Sequence, residues 1–294
     1  MRYPVFNIGL SIFLASFFSC QKNSAEEHVV EEHQEASYEM SVMSFNVRYL
    51  QGDVGTEHSW DKRKSGVFAM LNDKKPLIIG TQEGYESQIQ DILTELPMYR
   101  AYCVSRDGKN SVNETNGILY LKDSIAVTYD RGTFWLSETP SSRSMGWDAA
   151  CTRICSWMKL RVKSSGQEFY IFNTHLDHVG VTARKEGIKL IWSKIEELNT
   201  EALPVFLTGD FNTTIDDEIF SDSPYSSARS DAPVTDEYLS YNAFGKGSPS
   251  TIDHIFYSGM SPTVFETVVE GYNGITYISD HYPILCKFSY SVKR

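Results

Sequence analysis

The sequence predicts an α/β fold. Three observations carry that expectation. Apolar, β-type runs alternate with amphipathic helical stretches; the alternation occurs in both halves of the chain; and several of the apolar runs stop at a carboxylate, amide or imidazole residue. Two βα-rich halves suggest two similar layers packed together. Pro204–Asn212 shows the pattern most plainly. Val205, Phe206, Leu207 and Thr208 form a continuous buried-strand run, Gly209 allows a turn or a close approach, and Asp210, Phe211 and Asn212 follow. If extended geometry persists, Asp210 and Asn212 face the same side. An ordinary Asx-turn would use the same residue types.

The N-terminus stands apart from this alternation. Arg2 precedes an apolar run from Ile8 to Phe18 that is short for a membrane span, so residues 1–19 read as an export signal. Phe17-Phe18-Ser19-Cys20 resembles a bacterial lipobox, which implies cleavage before Cys20 and its lipidation, with plain secretion as the alternative. Residues 20–38 then read as an acidic tether. Glu26, Glu27, Glu31, Glu32 and Glu35 are interleaved with His28 and His33, and little in the segment is worth burying. The remaining 39–294 are expected to form one catalytic domain.

Within it, Tyr38–Val47 is a strand ending on Asn46, and Ser59 is placed to cap a helix running to Leu71 before Pro76. Residues 77–83 form a second strand ending on Gln82 and Glu83, followed by a short helix over 88–96. Residues 116–121, 125–136 and 153–162 are β-like, with a long loop from Ser137 to Cys151 between the last two. A strand over 169–175 ends on His175, and Thr182–Leu198 is an amphipathic helix leading to Pro204–Asn212. Residues 216–231 are irregular with one helical turn; 250–257 is a strand carrying Asp253; and Asp280-His281 precedes the last strand, 282–288.

Composition limits the function. Charged residues make up 22% and hydrophobic residues 41%, as in an ordinary globular protein. A net charge of −11 argues against a broadly basic nucleic-acid surface, though not against a local basic patch or an acidic, cation-gathering cleft. Cys103, Cys151, Cys155 and Cys286 show neither a disulfide framework nor paired zinc motifs. On one extended strand Cys151 and Cys155 would lie about 13 Å apart, at about 3.3 Å per residue. That is too far to bridge, so buried free thiols are expected.

Gathered together, the strand ends present Asn46, Glu83, His175, Asp210, Asn212, Asp253, Asp280 and His281. Hard oxygen donors of this kind suit Mg²⁺ or Mn²⁺, and a divalent ion beside a His–Asp pair is equipment for phosphoester hydrolysis. Six short motifs sharpen that reading: Ser44-Phe45-Asn46-Val47-Arg48, Gly80-Thr81-Gln82-Glu83, Asn173-Thr174-His175-Leu176, Gly209-Asp210-Phe211-Asn212, Ile252-Asp253-His254-Ile255 and Ser279-Asp280-His281-Tyr282-Pro283. In this order they resemble the endonuclease/exonuclease/phosphatase superfamily, with its DNase I, exonuclease III, neutral sphingomyelinase and inositol 5-phosphatase branches. The resemblance covers nearly all of residues 39–290.

The resemblance implies a four-layer α/β/β/α sandwich of two mixed β-sheets with outer helices. It implies Glu83 as principal Mg²⁺ ligand with Asn46 beside it, and Asp280 reaching the metal directly or through water. Asp210 would align or deprotonate the attacking water, Asn212 would hold a phosphoryl oxygen, and His175 would bind the scissile phosphate. His281 would be a protonated phosphate contact, oriented by Asp253. Gly146-Trp147-Asp148, Arg153 and Arg184 look like the bacterial and deadenylase-like branch, with both arginines as phosphate or substrate contacts or as structural ion pairs. The expected protein is an exported, Mg²⁺-dependent phosphoesterase, monomeric and anchored through Cys20 at the periplasmic or cell-surface side. Its substrate is a nucleic acid, a phospholipid headgroup or a small phosphate ester. A catalytically silent binding lipoprotein is the alternative of another class.

Overall fold

β1 (Glu35–Asn46) opens the described part of the chain; the computed structural model describes residues 35–108 and 112–293. Residues 1–34, which include the expected export signal, Cys20 and most of the tether, lie outside it. Residues 35–38, assigned from sequence to the tether, begin β1 instead. They pair with the far end of β12 (Ile284–Lys293), Ala36 opposite Val292 and Tyr38 opposite Tyr290. The Tyr38 and Tyr290 rings stack at 5.6 Å, a contact between chain ends that acidic local composition hides.

From β1 the chain runs through α1 (Trp60–Lys74) into β2 (Ile78–Gln82), which lies parallel to β1. α2 (Glu86–Glu95), β3 (Tyr99–Tyr102) and β4 (Gly117–Leu121) follow. β5 (Ile125–Trp135), β6 (Ile154–Val162) and β7 (Glu168–His175) form a meander, and α3 (Val181–Leu198) crosses over to β8 (Val205–Asp210), parallel to β7. The rest comprises β9 (Ser226–Ser227), α4 (Ala228–Asp231), β10 (Asp253–Ser258), β11 (Ser261–Thr267) and β12.

These strands make two six-stranded sheets, in the orders β11-β12-β1-β2-β4-β3 and β5-β6-β7-β8-β10-β9. Each contains one parallel pair joined by a helix, β1-α1-β2 in one and β7-α3-β8 in the other, with antiparallel neighbours outside. The two similar layers expected from sequence are thus present, as is the four-layer sandwich. Three apolar layers separate the four. One, with Val42, Ile78, Ile171, Phe206 and Phe288, fills the space between the sheets. A second, with Phe45, Val67, Leu71 and Ile92, lies under α1 and α2, and a third, with Phe172, Ile188, Ile191 and Leu207, lies under α3.

The sheets approach closely just below their shared C-terminal edge. A Cβ on Gly80 would sit 2.0 Å from Thr208 Oγ1 and 2.6 Å from Asn173 Oδ1, so any other residue would force these side chains or the strands to shift. Asn173 pins the contact. Its Nδ2 donates to the Thr81 and Gly117 carbonyls, and its Oδ1 accepts from Gln82 Nε2 at 2.7 Å.

Several local expectations differ. Ser59 precedes α1, but its side chain makes no capping hydrogen bond. β3 and β11 were not anticipated, because each is short or interrupted and gains its partners from distant strands. The four cysteines among the described residues are free, but only Cys155 and Cys286 are buried, while Cys103 and Cys151 are half-buried. Among the described residues no helix is long and apolar enough to cross a membrane.

Candidate active site

The C-terminal ends of the two parallel pairs meet at one edge of the sandwich, where open α/β sheets present their sites. Register does most of the assembly. In the second sheet Asp210 lies opposite His175 of β7 on one side and opposite Asp253 of β10 on the other. The first sheet contributes Asn46, the last residue of β1, and Glu83, the first residue after β2. At three of these strand ends the chain leaves through the left-handed region without glycine: Arg48 at φ 62°, Glu83 at 64° and Asn212 at 52°. Such conformations carry strain of order 1–3 kcal/mol for most side chains, and here they turn polar groups into the cleft.

Asp210 performs two tasks with its two oxygens. Oδ1 accepts the Asn212 backbone N–H at 2.9 Å, which is an Asx-turn. Oδ2 faces the cleft, 3.0 Å from Asn46 Nδ2, 3.4 Å from His175 Nε2 and 3.7 Å from His281 Nε2. The turn and the site are therefore the same structure. Asn212 is not extended and does not align with Asp210 as a strand would. Its Nδ2 donates to the Leu176 carbonyl at 2.9 Å, which aims the rest of the amide at the cleft.

The two imidazoles take opposite charge states. Burial alone would neutralise His281, but Asp253 and Asp210 outweigh it and lift the imidazole to about 10, so it is protonated at neutral pH. Asp253 Oδ2 accepts from Nδ1 at 2.8 Å, which leaves Nε2–H directed at Asp210 and the cleft. Burial, reinforced by Arg153 and Arg106, pushes His175 well below 6.5 and keeps it neutral. Burial also raises the Asp210 carboxyl to about 7, with the charges of Asp253 and Glu83 adding to it. A carboxyl poised near neutrality is suited to taking a proton.

Three side-chain sets bring possible metal-ligating atoms within 4.8 Å of one another. In the set Asp210, Asp253 and His281 the imidazolium already supplies the cation. In the set Cys151, Asp177 and His178, Asp177 accepts from the backbone N–H of Ala150, Val179 and Gly180 and faces Arg153, so its charge is fully engaged. Glu83, His175 and Asp210 remain. Glu83 Oε1 and Oε2 each receive one hydrogen bond, from Asn46 Nδ2 at 3.1 Å and Tyr49 N at 3.0 Å, which leaves lone pairs on both oxygens. Two carboxylates and a neutral imidazole, with one carboxyl destabilised as an anion by its neighbours, fit a divalent cation.

Asn46 sits beside Glu83 as expected, but its oxygen accepts the Arg48 N–H at 3.0 Å while its nitrogen faces both carboxylates. In this arrangement it holds Glu83 and Asp210 in place; ligation through Oδ1 requires the amide to turn over. Asp280 is in the cleft wall and forms an ion pair with Arg48, Nη1 to Oδ2 at 3.1 Å.

The cleft encloses about 610 Å³. Its basic wall includes Arg153, whose Nη2 meets His178 Nδ1 at 3.2 Å and whose Nε lies 3.5 Å from Asp177. Arg106 stands beside it, paired to Glu114 at 2.7 Å. Arg184 is not among the lining residues; its Nη1 donates to the Asp177 carbonyl, a structural contact that braces the turn after His175. Arg48, Tyr49, Arg106, Glu114 and Tyr241 line the cleft without having been singled out from sequence. Arg48 ends the motif Ser44-Phe45-Asn46-Val47-Arg48; the others carry no local signal.

The sequence profile of the endonuclease/exonuclease/phosphatase family matches residues 43–281, from β1 to His281. The chain belongs to that family. It is therefore a metal-dependent hydrolase of phosphoester bonds, with the fold of that family. A family protein of Bacteroides thetaiotaomicron is 31% identical, with 88% of this chain and 100% of that chain covered and a TM-score of 0.82. A mannosyl-6-phosphatase of the same species is 31% identical over 86% of this chain and 99% of that one, TM-score 0.78. A Bacteroides vulgatus family protein is 33% identical over 85% and 98%, TM-score 0.80. No curated protein sequence matches this chain.

Proposed function

We propose that this protein is an exported, Mg²⁺-dependent phosphoesterase that acts on a small phosphate ester. The observation that carries the reading is the His281 imidazole, held between Asp253 and Asp210 in the cleft that Glu83 also lines, with both carboxylates favouring its charged form. An imidazolium fixed by a buried carboxylate donates Nε2–H to a phosphoryl oxygen and stabilises the charge that develops there. Asp210 aligns the attacking water in line with the leaving group and accepts its proton. Asn212 donates to a second phosphoryl oxygen, and the neutral His175 donates or accepts beside it. Glu83 would hold the divalent ion, next to Asp210 and His175, and Asp280 would reach it directly or through water. When bound, that ion neutralises phosphoryl oxygens and polarises the scissile bond. Mg²⁺ is favoured over zinc because carboxylate oxygens dominate the donor set, and Mn²⁺ is the natural substitute.

A small ester is favoured over nucleic acid on three grounds. The chain carries −11; Arg106 and Arg153 offer a short basic wall rather than a track; and a similar protein bears the name mannosyl-6-phosphatase. A phospholipid headgroup is the second reading, and it rests on the proposed lipid anchor. We further propose that residues 1–19 direct export, that Cys20 carries the lipid, and that a monomeric catalytic domain works at the periplasmic or cell-surface side. The decisive test is a panel of sugar phosphates, p-nitrophenyl phosphoesters, sphingomyelin, RNA and plasmid DNA, assayed after EDTA treatment and again with Mg²⁺ or Mn²⁺ restored. Metal-restored turnover of sugar phosphates at rates well above DNA is expected. EDTA-insensitive turnover, or preference for DNA, would overturn the assignment.

A further inference from the structure

Beside the charged cleft lies a second concavity of about 320 Å³ whose lining carries no charged residue. Four tyrosines (Tyr238, Tyr241, Tyr277 and Tyr282) dominate its lining, with Leu239, Val269 and Asn242 beside them and Gly245, Gly247 and Pro249 closing it. Tyr241 lines both spaces. Its ring packs on that of His281, centroids 4.9 Å apart, and its backbone pairs with Ser250 and His281, so the partition between cleft and groove is fixed. Tyr277 and Tyr282 lie 6.2 Å apart at 36° and form a tilted wall. Tyr238 and Leu239 form an open rim, 57% and 43% exposed. Ala243, Phe244 and Gly245 all have positive φ, at 49°, 55° and 76°, and a Cβ on Gly245 would fall 2.6 Å from the Tyr277 hydroxyl. A strained turn thus keeps the backbone hard against the aromatic wall, which suits a surface shaped for a ligand.

We propose that this groove binds an uncharged glycosyl unit, so that the substrate is a phosphorylated oligosaccharide or glycoside rather than a free sugar phosphate. The inference rests on the cleft being the phosphate site. An uncharged lining disfavours a second phosphate or carboxylate, because none of the residues lining the groove is a cation that would offset the desolvation of the anion. Tyrosine faces match the apolar C–H face of a pyranose, and their hydroxyl edges match its rim of hydroxyl groups. The angled Tyr277–Tyr282 pair offers no parallel slot for a flat nucleobase. Continuity through Tyr241 places the groove one ring beyond the phosphate contact His281.

The test compares kcat/KM for mannose 6-phosphate with that for a mannobiose phosphorylated at O6 of one unit, in the wild type and in Tyr238→Ala and Tyr277→Ala. A preference for the disaccharide of about tenfold or more is expected, falling toward one in both variants, with Tyr277→Phe retaining most of it. A wild-type ratio near one, or a preference that survives both alanine variants, would overturn the proposal. So would a tyrosine-dependent preference for adenosine 5′-monophosphate over the disaccharide. If neither ester is hydrolysed, the phosphatase reading has failed; the groove is then judged by NMR titration with unphosphorylated mannobiose, where loss of shifts in Tyr277→Ala supports it and absence of wild-type binding refutes it.

Discussion

At the scale of single residues, the proposed mechanism depends on keeping neighbouring groups in different protonation states. In it Asp210 is ionised to take a proton, and His281 is protonated to give a hydrogen bond. Their positions, about 7 and about 10, leave a window between them in which both conditions hold. Activity should rise through the lower value, which a bound cation shifts downward, and fall as pH approaches the upper one. Asp253→Asn removes the charge that raises His281, so the alkaline limb of the kcat profile should move down by more than one pH unit; an unmoved limb would refute the pairing. Asp210→Asn should lower kcat by on the order of 10³ with the fold intact by circular dichroism. Stability follows the same signs. The folded value of His281 lies above its ordinary 6.5, so its contribution is complete below that pH and is lost as pH rises through about 10. The residues of this network were legible in the sequence because each ends an apolar run within a recognisable motif. Arg106, Glu114 and Tyr241 were not, because arginine, glutamate and tyrosine in loops have many uses and only the folded chain brings them to the cleft.

At the scale of elements, the site depends on how closely two sheets can approach. Gly80 is the point of contact, and its neighbours across the interface are Thr208 and Asn173. Gly80→Ala should destabilise the protein by about 1–3 kcal/mol, the usual cost of overpacking a core, measured by urea or thermal unfolding. Adding Thr208→Ala should recover part of the loss by removing the nearer clash; no recovery would place the strain elsewhere. Arg63 shows a second element-level device. It is buried in α1, and its guanidinium donates to the carbonyls of Val47, Arg48, His58 and Ile278. This ties the end of β1 to the segment that leads into Asp280 and His281. Helix and strand positions were largely readable from periodicity, since α1, α3 and the central strands have strong patterns. β3, β11 and the first residues of β1 escaped because edge pairing can rescue a segment whose own sequence is short, interrupted or acidic. Arg63 escaped because one charged residue on a helix ordinarily faces water.

At the scale of the whole molecule, charge and chain length bear on where the enzyme works. A chain with a net charge of −11 gains little from anionic lipid headgroups, so net charge gives the catalytic domain no general attraction to a membrane. The proposed attachment therefore rests on Cys20. The fourteen residues from 21 to 34, before β1 begins at Glu35, reach at most about 50 Å when fully extended. Two measurements separate a lipid from a charge-based tether. Wild-type protein should stay in the membrane fraction through a 1 M salt wash, because screening at about 3 Å removes electrostatic attachment but not acyl chains. Cys20→Ser should move to the soluble or secreted fraction with its kcat/KM on a soluble ester unchanged, since the cysteine is remote from the cleft in the chain. If Cys20→Ser stays with the membrane, the anchor lies elsewhere; if the wild type is released by salt, the attachment is electrostatic and the lipid assignment fails.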